Sequence, residues 1–591
     1  MSEKTEPNGL LSRRQFTQLS AGAGLLAGLR MPAGHAAEKT YRPGPAAELR
    51  ATELDLFIDY QDVNLSGAPA VATTVNGSLP APVLHWREGE TVRICVHNRL
   101  PVPSSIHWHG LILPAGMDGV PGLSYSGIAP GESFQYEFTL RQNGTYWYHS
   151  HSGFQEQSGL YGAIVIDSRE PEPFSYDRDY VVLLSDWSDD KPERIYDKLK
   201  KQSHYYNLDE RTLADTFAEA GDKGWWQMLK DRHMWNRMRM TDRDIADVTG
   251  MTYQFLMNGY SRLHGGWQGL FHAGEKIRLR LINTGAMTFF DVHIPGLKMT
   301  VVAADGQWIQ PVTVDELRIG NAETYDVMVE PDDKAYCIFA QAMDRSGYAL
   351  GWLTPAAGLR AEIPPLDSKP VLTHADMGMA HTGDAMADMP AHHHHDHSQM
   401  QMGSQMMGSG APGFGSALPV IHPASERGPQ VDMQAGNPQY RLDDPGVGLR
   451  GHASLGRRVL TYADLKNYHK TGDKRPPTRE LQLHLTGNMA RYLWSIDGER
   501  DSGQVIQLQQ GERVRITLVN DTMMNHPIHL HGLWSELETG DGDHIPRKHT
   551  VIVQPGSKIS YLVTADSKGR WAYHCHLLYH MAGMFRVVEV V

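Results

Sequence analysis

The chain has 591 residues, of which 41% are hydrophobic and 21% are charged, a balance typical of a globular protein with material for three or four domains. Acidic residues outnumber basic residues by 68 to 55, and the resulting net charge of -13 argues against a nucleic-acid binder. Three cysteines are too few for a disulfide scaffold or a four-cysteine zinc or iron–sulfur site, whereas 31 histidines and 27 methionines are an excess of ligands for soft and borderline metals, copper above all.

The first 37 residues have the three-part layout of an export signal. A polar stretch ends in Ser12-Arg13-Arg14-Gln15-Phe16, a glycine-rich apolar stretch follows over 16–29, and small residues mark a cleavage site near Ala36 or Ala37. The paired arginines indicate the twin-arginine export machinery, and we therefore predict a periplasmic protein. The apolar stretch is too short to span a bilayer stably, so no membrane association is expected in the mature form.

A strand-like unit occurs three times along the chain. Each copy has an Asn-Gly or Asp-Gly turn, then a glycine–acid step, an alternating strand and a closing asparagine, at 89–98, 274–283 and 511–520. A Pro-Gly…Gly…His repeat joins only the first and last units. Apolar residues with period two indicate half-buried strands. The repeats predict an all-β protein of three homologous Greek-key β-sandwich domains, at about 48–168, 175–370 and 446–591.

Two segments interrupt this pattern. The middle domain carries an insertion at roughly 190–250 with helical character over 195–201 and 228–240. Residues 371–445 form a linker whose part 371–410 is rich in methionine, histidine, glycine and serine, so no packed core is expected there. It is interpreted as a flexible, copper-collecting segment, with a plain soluble linker as the alternative. Its candidate accessory ligands are Met377, Met379, Met386, Met389, His392, His393, His394, His395, His397, Met400, Met402, Met406 and Met407.

Four His-x-His pairs stand at equivalent positions of the repeats, all in the first and third domains. The middle domain has only Asp291-Val292-His293 near the first of these positions. Residues i and i+2 of a strand point to the same side, so each pair presents two imidazoles to one place. Eight imidazoles with no carboxylate or thiolate suit a cluster of copper ions between the two domains. The pairs are His107 and His109, His149 and His151, His529 and His531, and His574 and His576.

Cys575 lies between two of these histidines, so its side chain points to the opposite face of the strand. There it can join His526 and His580, with Met584 as a weak axial partner. Two histidines, a thiolate and a distant thioether are the ligands of a blue-copper electron-transfer site.

The motifs His107-Trp108-His109-Gly110 and His149-Ser150-His151, with His-Pro-Ile-His-Leu-His-Gly at 526–532 and His-Cys-His-Leu-Leu-Tyr-His at 574–580, resemble those of multicopper oxidases. The bacterial copper-resistance protein A branch is the most similar, over nearly the whole chain. The resemblance implies cupredoxin-like domains and four copper ions. It implies type 1 ligands His526, Cys575, His580 and Met584, type 2 ligands His107 and His529, and type 3 ligands His109, His149, His151, His531, His574 and His576.

The chain departs from the family pattern at two positions. Met584 follows His580 by four residues where most relatives have five, and Met581 stands where some relatives carry a proton-donating glutamate. Asp118 matches the family's other acidic residue near the cluster, and we predict that it supplies protons for dioxygen reduction. The alternative for Asp118, which precedes Gly119, is an ordinary turn aspartate.

The resemblance implies an enzyme that takes single electrons from cuprous ion, a phenol or a catechol and reduces dioxygen to water, in the service of copper resistance. The alternative is a copper-sequestering protein with incidental oxidase activity; a copper nitrite reductase fits poorly, because it needs no four histidine pairs. A disulfide between Cys95 and Cys337 is permitted in the periplasm but is not required by the sequence.

Overall fold

The computed structural model describes residues 43–378 apart from 45, 208 and 239, followed by 413–499 and 504–591. The predicted export signal and the candidate ligands from Met379 to Met407 lie outside these residues. No helix within the described ranges is both long and apolar enough to cross a membrane.

The first sandwich is built from two sheets, one with the strand order β1-β4-β9-β8-β6 and one with the order β3-β2-β5-β7. Its apolar side chains form a separate hydrophobic cluster that includes Val92, Ile94 and Val96, the predicted inner face of β5. The strands are β1 (Glu48–Leu49), β2 (Glu53–Val63), β3 (Ala70–Val75), β4 (Ala81–Arg87), β5 (Thr91–Asn98), β6 (His107–His109), β7 (Ser133–Thr139), β8 (Gly144–His149) and β9 (Tyr161–Asp167).

The second sandwich pairs a sheet of order β11-β10-β13-β18-β15-β16 with one of order β12-β20-β19-β14-β17. The strands are β10 (Arg178–Trp187), β11 (Gln254–Met257), β12 (Trp267–Leu270), β13 (Ile277–Asn283), β14 (Phe290–His293), β15 (Met299–Ala304), β16 (Gln307–Val314), β17 (Glu316–Ile319), β18 (Thr324–Val329), β19 (Tyr336–Ala342) and β20 (Tyr348–Thr354).

The third sandwich repeats this plan with the orders β23-β22-β25-β30-β27-β28 and β24-β32-β31-β26-β29, and β21 pairs with β30. It shares one continuous hydrophobic cluster with the second sandwich. The strands are β21 (Gln439–Tyr440), β22 (Arg479–Asn488), β23 (Leu493–Ile496), β24 (Val505–Leu508), β25 (Arg513–Asn520), β26 (His526–Leu530), β27 (Ser535–Leu537), β28 (Arg547–Lys548), β29 (Thr550–Val553), β30 (Ser557–Thr564), β31 (Gly569–Cys575) and β32 (Phe585–Val590).

The repeated turns and asparagines have a common structural role. The Asn-Gly or Asp-Gly pair before each unit has positive φ at both residues, which suits the twist of the flanking strands. The side-chain amide of the closing asparagine then donates to at least two backbone carbonyls, one just after the strand and one on a distant segment. This fixes the loop that leads to the site strands. The donors are Asn98, Asn283 and Asn520, with acceptors Val102 and Ile128, Thr288 and Ile319, and Met524 and Val553.

The predicted helical insertion of the middle domain is confirmed, with one helix more than the sequence indicated. Between β10 and β11 lie α1 (Pro192–Lys201), α2 (Leu213–Lys223) and α3 (Trp225–Met238). Thr212 caps α2 by accepting from Asp215 N–H, while the Asp215 carboxylate accepts from Thr212 N–H. A short α4 (Leu578–Met581) follows β31. The 3-10 turns are Ala115–Met117, Arg262–His264, Ala424–Arg427, His452–Leu455, Tyr462–Asp464 and Met489–Arg491.

The described ends of the predicted linker pack on the folded domains instead of forming a free tether. Met377, one of the candidate accessory ligands, is fully buried in the shared hydrophobic cluster. Gly378 lies against Gly556 of the third sandwich, where a Cβ would meet the Gly556 carbonyl oxygen at 2.4 Å. Met377 therefore acts as a core side chain, because its thioether is enclosed by apolar neighbours and not presented to solvent.

Candidate metal centre

The histidine pairs are placed by matching strand registers in the first and third sandwiches. In the first, His107 on β6 is directly opposite His149 on β8. In the third, His529 on β26 is directly opposite His574 on β31. The intervening Trp108 and Leu530 are buried in the cores behind the site. The period of two along each strand thus directs both imidazoles of a pair away from the core.

The two sets of four histidines meet face to face between the first and third domains. The His109 ring stacks on His529 with 3.8 Å between centroids, and His107 lies 4.0 Å from His531. His109, His149 and His576 form one group whose ligand atoms lie within 4.8 Å of one another. His151, His531 and His574 form a second group, with centroids 5.1–5.2 Å apart. All eight predicted cluster residues are therefore brought together.

Buried ring nitrogens without hydrogen-bond partners line this space. In His107 and His529 the Nδ1 atom is tied to a backbone carbonyl, of Asp118 at 2.7 Å and of His549 at 2.6 Å, and Nε2 has no partner. Buried polar atoms are rarely left unpaired in this way, and a fixed outer nitrogen with a free inner one is the arrangement of metal-binding histidines. The donor set fits copper. Other unpartnered nitrogens are His109 Nδ1, His149 Nε2, His151 Nε2 and both ring nitrogens of His576.

Burial keeps the cluster histidines neutral. Desolvation, reinforced by neighbouring imidazoles, lowers the pKa values of several of them well below 6.5, among them His109, His149 and His531. Burial also lowers the pKa of His574 to about 4. Only the neutral ring has a lone pair for a metal, so the site is ready for metal binding at neutral pH.

His526, Cys575 and His580 form a separate buried trio within the third sandwich. The Cys575 Sγ lies 3.6 Å from His526 Nδ1 and 3.9 Å from His580 Nδ1, and the two nitrogens are 3.4 Å apart. Trp494 stacks on the His580 ring at 3.9 Å. Burial raises the pKa of Cys575 above its usual range, so a bound cation is the means by which its thiolate would be held.

A single helical turn closes the short loop after His580. Met584 N–H donates to His580 O at 2.9 Å, and Cys575 N–H donates to Met584 O at 3.0 Å. These bonds return Met584 to the level of the cysteine, where its side chain is fully buried, whereas Met581 is only partly buried. The four-residue spacing between His580 and Met584 is thus spanned by a single helical turn.

Two carboxylates contact the histidine cluster, of which the sequence indicated one. Asp118 Oδ2 lies 2.9 Å from His531 Nδ1, and Asp118 Oδ1 lies 3.3 Å from His107 Nδ1, so it joins ligands of both domains. Glu156 Oε2 lies 2.6 Å from His149 Nδ1. Burial raises the pKa of Glu156 well above its usual range. Glu156 lies five residues after His151 in a loop, and no sequence pattern marks it.

The outer nitrogens of the two trio histidines also have partners that sequence reasoning missed. His580 Nε2 lies 2.6 Å from Asp247 Oδ2, and Tyr492 donates its hydroxyl to the same oxygen at 3.0 Å. Thr522 Oγ1 lies 2.7 Å from His526 Nε2. Asp247 belongs to the insertion of the middle domain, which therefore contributes to the trio's surroundings although it carries none of its ligands.

A ninth histidine lies beside the cluster. His549 Nδ1 is 3.2 Å from His109 Nε2, and its own Nε2 is buried without a partner. A Cβ on Gly110 would come within 2.5 Å of the His549 ring, so the glycine of the first motif is needed for this approach. His549 belongs to no His-x-His pair, which is why the repeat did not reveal it.

The middle domain uses the equivalent position for an ion pair. The Asp291 carboxylate on β14 forms ion pairs with Arg318 (Oδ1 to Nε, 2.7 Å) and Arg345 (Oδ2 to Nη1, 2.6 Å). All three side chains are largely buried. Burial raises the pKa of Asp291, but the two guanidinium groups outweigh this and lower it. Cys95 and Cys337 are both free thiols in the structure, so the optional disulfide does not form there.

The fold and the two ligand groups define a copper protein of several cupredoxin-like domains. The multicopper oxidase family profile matches residues 58–171, 178–356 and 474–591. The chain belongs to this family: it is an oxidase that carries copper cofactors and uses oxygen and a reducing substrate.

Curated relatives match most of the length of the chain. Copper resistance protein A of Escherichia coli is 54% identical over 92% of this chain and 93% of its own. A homolog from Pseudomonas syringae pv. tomato is 54% identical over 98% and 99%. Among solved structures, the fold is similar to Fet3p, a multicopper oxidase that functions in iron import, with a TM-score of 0.61 and 19% identity over 92% and 90% of the two chains.

Proposed function

We propose that this protein is a periplasmic multicopper oxidase that couples one-electron oxidation of cuprous ion, and of phenols or catechols, to the four-electron reduction of dioxygen to water. One observation carries the proposal. Cys575 of the buried trio is bonded along the chain to His574 and His576, which face the eight-histidine cluster. A site that would accept single electrons is thereby connected covalently to a site with nitrogen ligands for several metal ions.

The ligand roles follow the resemblance and are supported by the contacts. His526, Cys575, His580 and axial Met584 would hold the type 1 copper. His107 and His529, with their outer nitrogens fixed by carbonyls, would hold the type 2 copper, and the two groups of three histidines would each hold one type 3 copper. When bound, the four copper ions supply the one-electron redox chemistry and the binding of dioxygen.

Protein side chains handle the protons and the orientation of the ligands. The Asp118 carboxylate accepts a hydrogen bond from His531 and the Asp118 backbone carbonyl accepts one from His107, which fixes the tautomers of both rings. The same carboxyl group is buried beside the cluster, where it can pass protons toward oxygen under reduction. Asp247 holds His580 and Thr522 holds His526 in the same manner.

The biological setting is copper resistance. The names of the relatives, copper resistance protein A, support this role, and the arginine pair near the amino terminus supports export by the twin-arginine machinery. Residues 379–410 would hold further labile copper and deliver cuprous ion. A copper-sequestering protein with incidental oxidase activity is the alternative.

Oxygen consumption by the purified, copper-loaded protein tests this proposal. We expect uptake with cuprous ion and with a phenol, at one dioxygen for every four electrons donated. Binding of copper without oxygen uptake from either reductant would instead support sequestration.

A further inference from the structure

Four side chains outside the two copper centres form a compact group of metal-binding type. His422 and Glu426 lie in the described stretch after residue 412, His484 lies on β22, and Asp521 follows β25. We propose that these four residues form an additional mononuclear site for a divalent borderline cation of the zinc and cupric class. The inference does not depend on the oxidase reaction.

The distances within the group suit a four-coordinate ion. His422 Nδ1 is 2.8 Å from Glu426 Oε2 and 3.6 Å from Asp521 Oδ2. His484 Nδ1 is 2.7 Å from Asp521 Oδ2 and 3.1 Å from Glu426 Oε1. Nitrogen and oxygen ligands about 2.0–2.1 Å from a tetrahedral ion are separated by about 3.3 Å. The observed separations lie on both sides of this value, so small side-chain movements would admit the ion.

The outer nitrogens of both histidines are already committed as donors. His422 Nε2 lies 3.1 Å from the Ala435 carbonyl oxygen, which can only accept. His484 Nε2 lies 3.3 Å from Gln482 Oε1, an oxygen that also accepts from Ile421 N–H at 2.8 Å. Each Nε2 therefore carries a proton. Without a cation Nδ1 donates a hydrogen bond to a carboxylate, and when that proton leaves, the neutral ring directs the lone pair of Nδ1 at the same carboxylates. This is the tautomer of a metal ligand whose outer nitrogen is held by an oxygen.

The carboxylates lack the cationic partners that buried acids normally have. Glu426 and Asp521 side chains are fully buried, and in the ion pairs of the described residues neither has a lysine or arginine partner. Glu426 Oε1 has no hydrogen-bond partner. Two carboxylates facing two lone pairs require compensation, either by extra protons on the rings or by a cation. A dication would neutralise both charges at once.

The donor set also selects an oxidation state. The group contains imidazole and carboxylate donors and neither thiolate nor thioether, and such donors favour zinc or cupric ion over cuprous ion. His422 is the entry point, because its side chain is 21% exposed while the other three are buried.

An ion at this site would fasten the chain that follows the Met/His-rich segment to the third sandwich. His422 and Glu426 belong to that connecting stretch, whereas His484 and Asp521 belong to the sandwich. Asp521 directly precedes Thr522, whose hydroxyl lies 2.7 Å from His526 of the type 1 trio. The site therefore adjoins the type 1 ligands without sharing one.

The test compares zinc uptake by the copper-loaded, full-length protein and by three variants. His422→Gln and Glu426→Gln each remove one proposed ligand. His469→Gln is the matched control, because His469 is an exposed histidine whose ring lies against Trp308 and Tyr468 and which forms none of the ion pairs found among the described residues. After equilibrium dialysis we expect the wild type and the control to bind one zinc ion more than either ligand variant. The histidine-rich tract is the same in all four proteins and cancels, and an unchanged blue absorption shows that the variants are folded.

Hydrogen exchange of residues 413–437 gives a second readout. Zinc should slow exchange there in the wild type and in the control, and it should have no effect in His422→Gln. Cupric ion should displace the additional zinc, whereas cuprous ion under anaerobic reducing conditions should not. Equal zinc uptake by all four proteins would show that the four residues form an ion-pair network only. Displacement of the additional zinc by cuprous ion would refute the proposed preference for zinc and cupric ion.

Discussion

The two proposed copper centres differ in how far apart along the chain their ligands lie. The type 1 trio comes from residues 526–580, within one sandwich, and is contacted by Asp247 from the middle domain. The eight-histidine cluster joins residues 107–151 to 529–576 and depends on the docking of the first domain against the third. On the proposed assignment, electron entry would therefore be a local property of one domain, whereas oxygen chemistry would be a property of the assembled chain.

Replacing Cys575, whose strand carries ligands of both centres, should have the largest effect, because it removes a ligand of the type 1 trio and none of the cluster. Cys575→Ser should abolish both the blue colour and the oxidase activity, because serine cannot supply the thiolate. The cluster nitrogens are unchanged, so about three of the four copper ions should remain by metal analysis. Cys95→Ser, at a free thiol away from both centres, is the control and should stay blue. A blue and active Cys575→Ser variant would refute the assignment.

A substitution in the eight-histidine cluster should block reoxidation by dioxygen while leaving the type 1 trio intact. In His107→Ala the trio is intact, so substrate should still bleach the blue band, but dioxygen should no longer restore it. Stopped-flow absorbance at the blue band measures both steps. His293→Ala, near the corresponding position of the middle domain, should reoxidise normally. Normal reoxidation of His107→Ala would mean that the pairs are structural.

Removing the proposed proton donor should slow turnover at the cluster without loss of its copper. Asp118→Asn should lower turnover by about 10²-fold, the lower end of what a positioned acid contributes, and more strongly at higher pH, where bulk protons are scarce. Copper content should remain that of the wild type. Loss of metal, or full activity at every pH, would contradict the proton role.

The metal-free protein should show that the cluster dominates acid sensitivity. Histidines with lowered pKa values stay neutral in the folded state and take up protons on unfolding below their usual pKa of about 6.5. Stability is then lost as pH falls from 6.5 toward 4, by up to about 1.4 kcal/mol per pH unit for each such histidine. His149, whose pKa is lowered by burial, is one of them. His149→Gln should therefore show a flatter fall in Tm between pH 6.5 and 5 than the wild type, while the exposed-site variant His469→Gln should match the wild type.

The smallest effect is expected outside both centres. Removing residues 379–410, which leaves the buried Met377 in place, should reduce cuprous oxidation several-fold at low copper, because a tethered binding segment raises the local concentration of its ligand. Phenol oxidation should be unchanged or faster. A variant of wild-type length with serine at each methionine and histidine of the segment should reproduce the result, which separates ligand loss from linker loss. Equal losses for both substrates would leave the segment a simple linker.

Sequence patterns predicted those features that repeat along the chain. Period-two apolar residues, the Asn-Gly turns and the paired histidines each occur in several copies, and the structure places the strands and all eight cluster histidines accordingly. Asp291 shows the limit of this reasoning, because a repeat position can be retained while its chemistry changes to an ion pair.

The residues that support the ligands could not be predicted in this way. Glu156, Asp247 and Thr522 belong to no repeated motif and lie in loops or in the insertion. Only the tertiary fold brings each of them to a ring nitrogen of a ligand histidine. The period of apolar residues and the spacing of motifs describe a strand and its neighbours in sequence. They contain no information on where the insertion of the middle domain packs against the third domain.

The position of β31 has a consequence for protein synthesis. His574, Cys575 and His576 follow all the other cluster histidines along the chain, so a nascent chain that has not reached them has only six of the eight cluster histidines and lacks the cysteine of the trio. Complete metal loading of either centre must therefore wait until this strand has been translated. A frameshift or premature stop before His574 would leave a product with no redox activity, and the blue colour would report that translation has passed Met584.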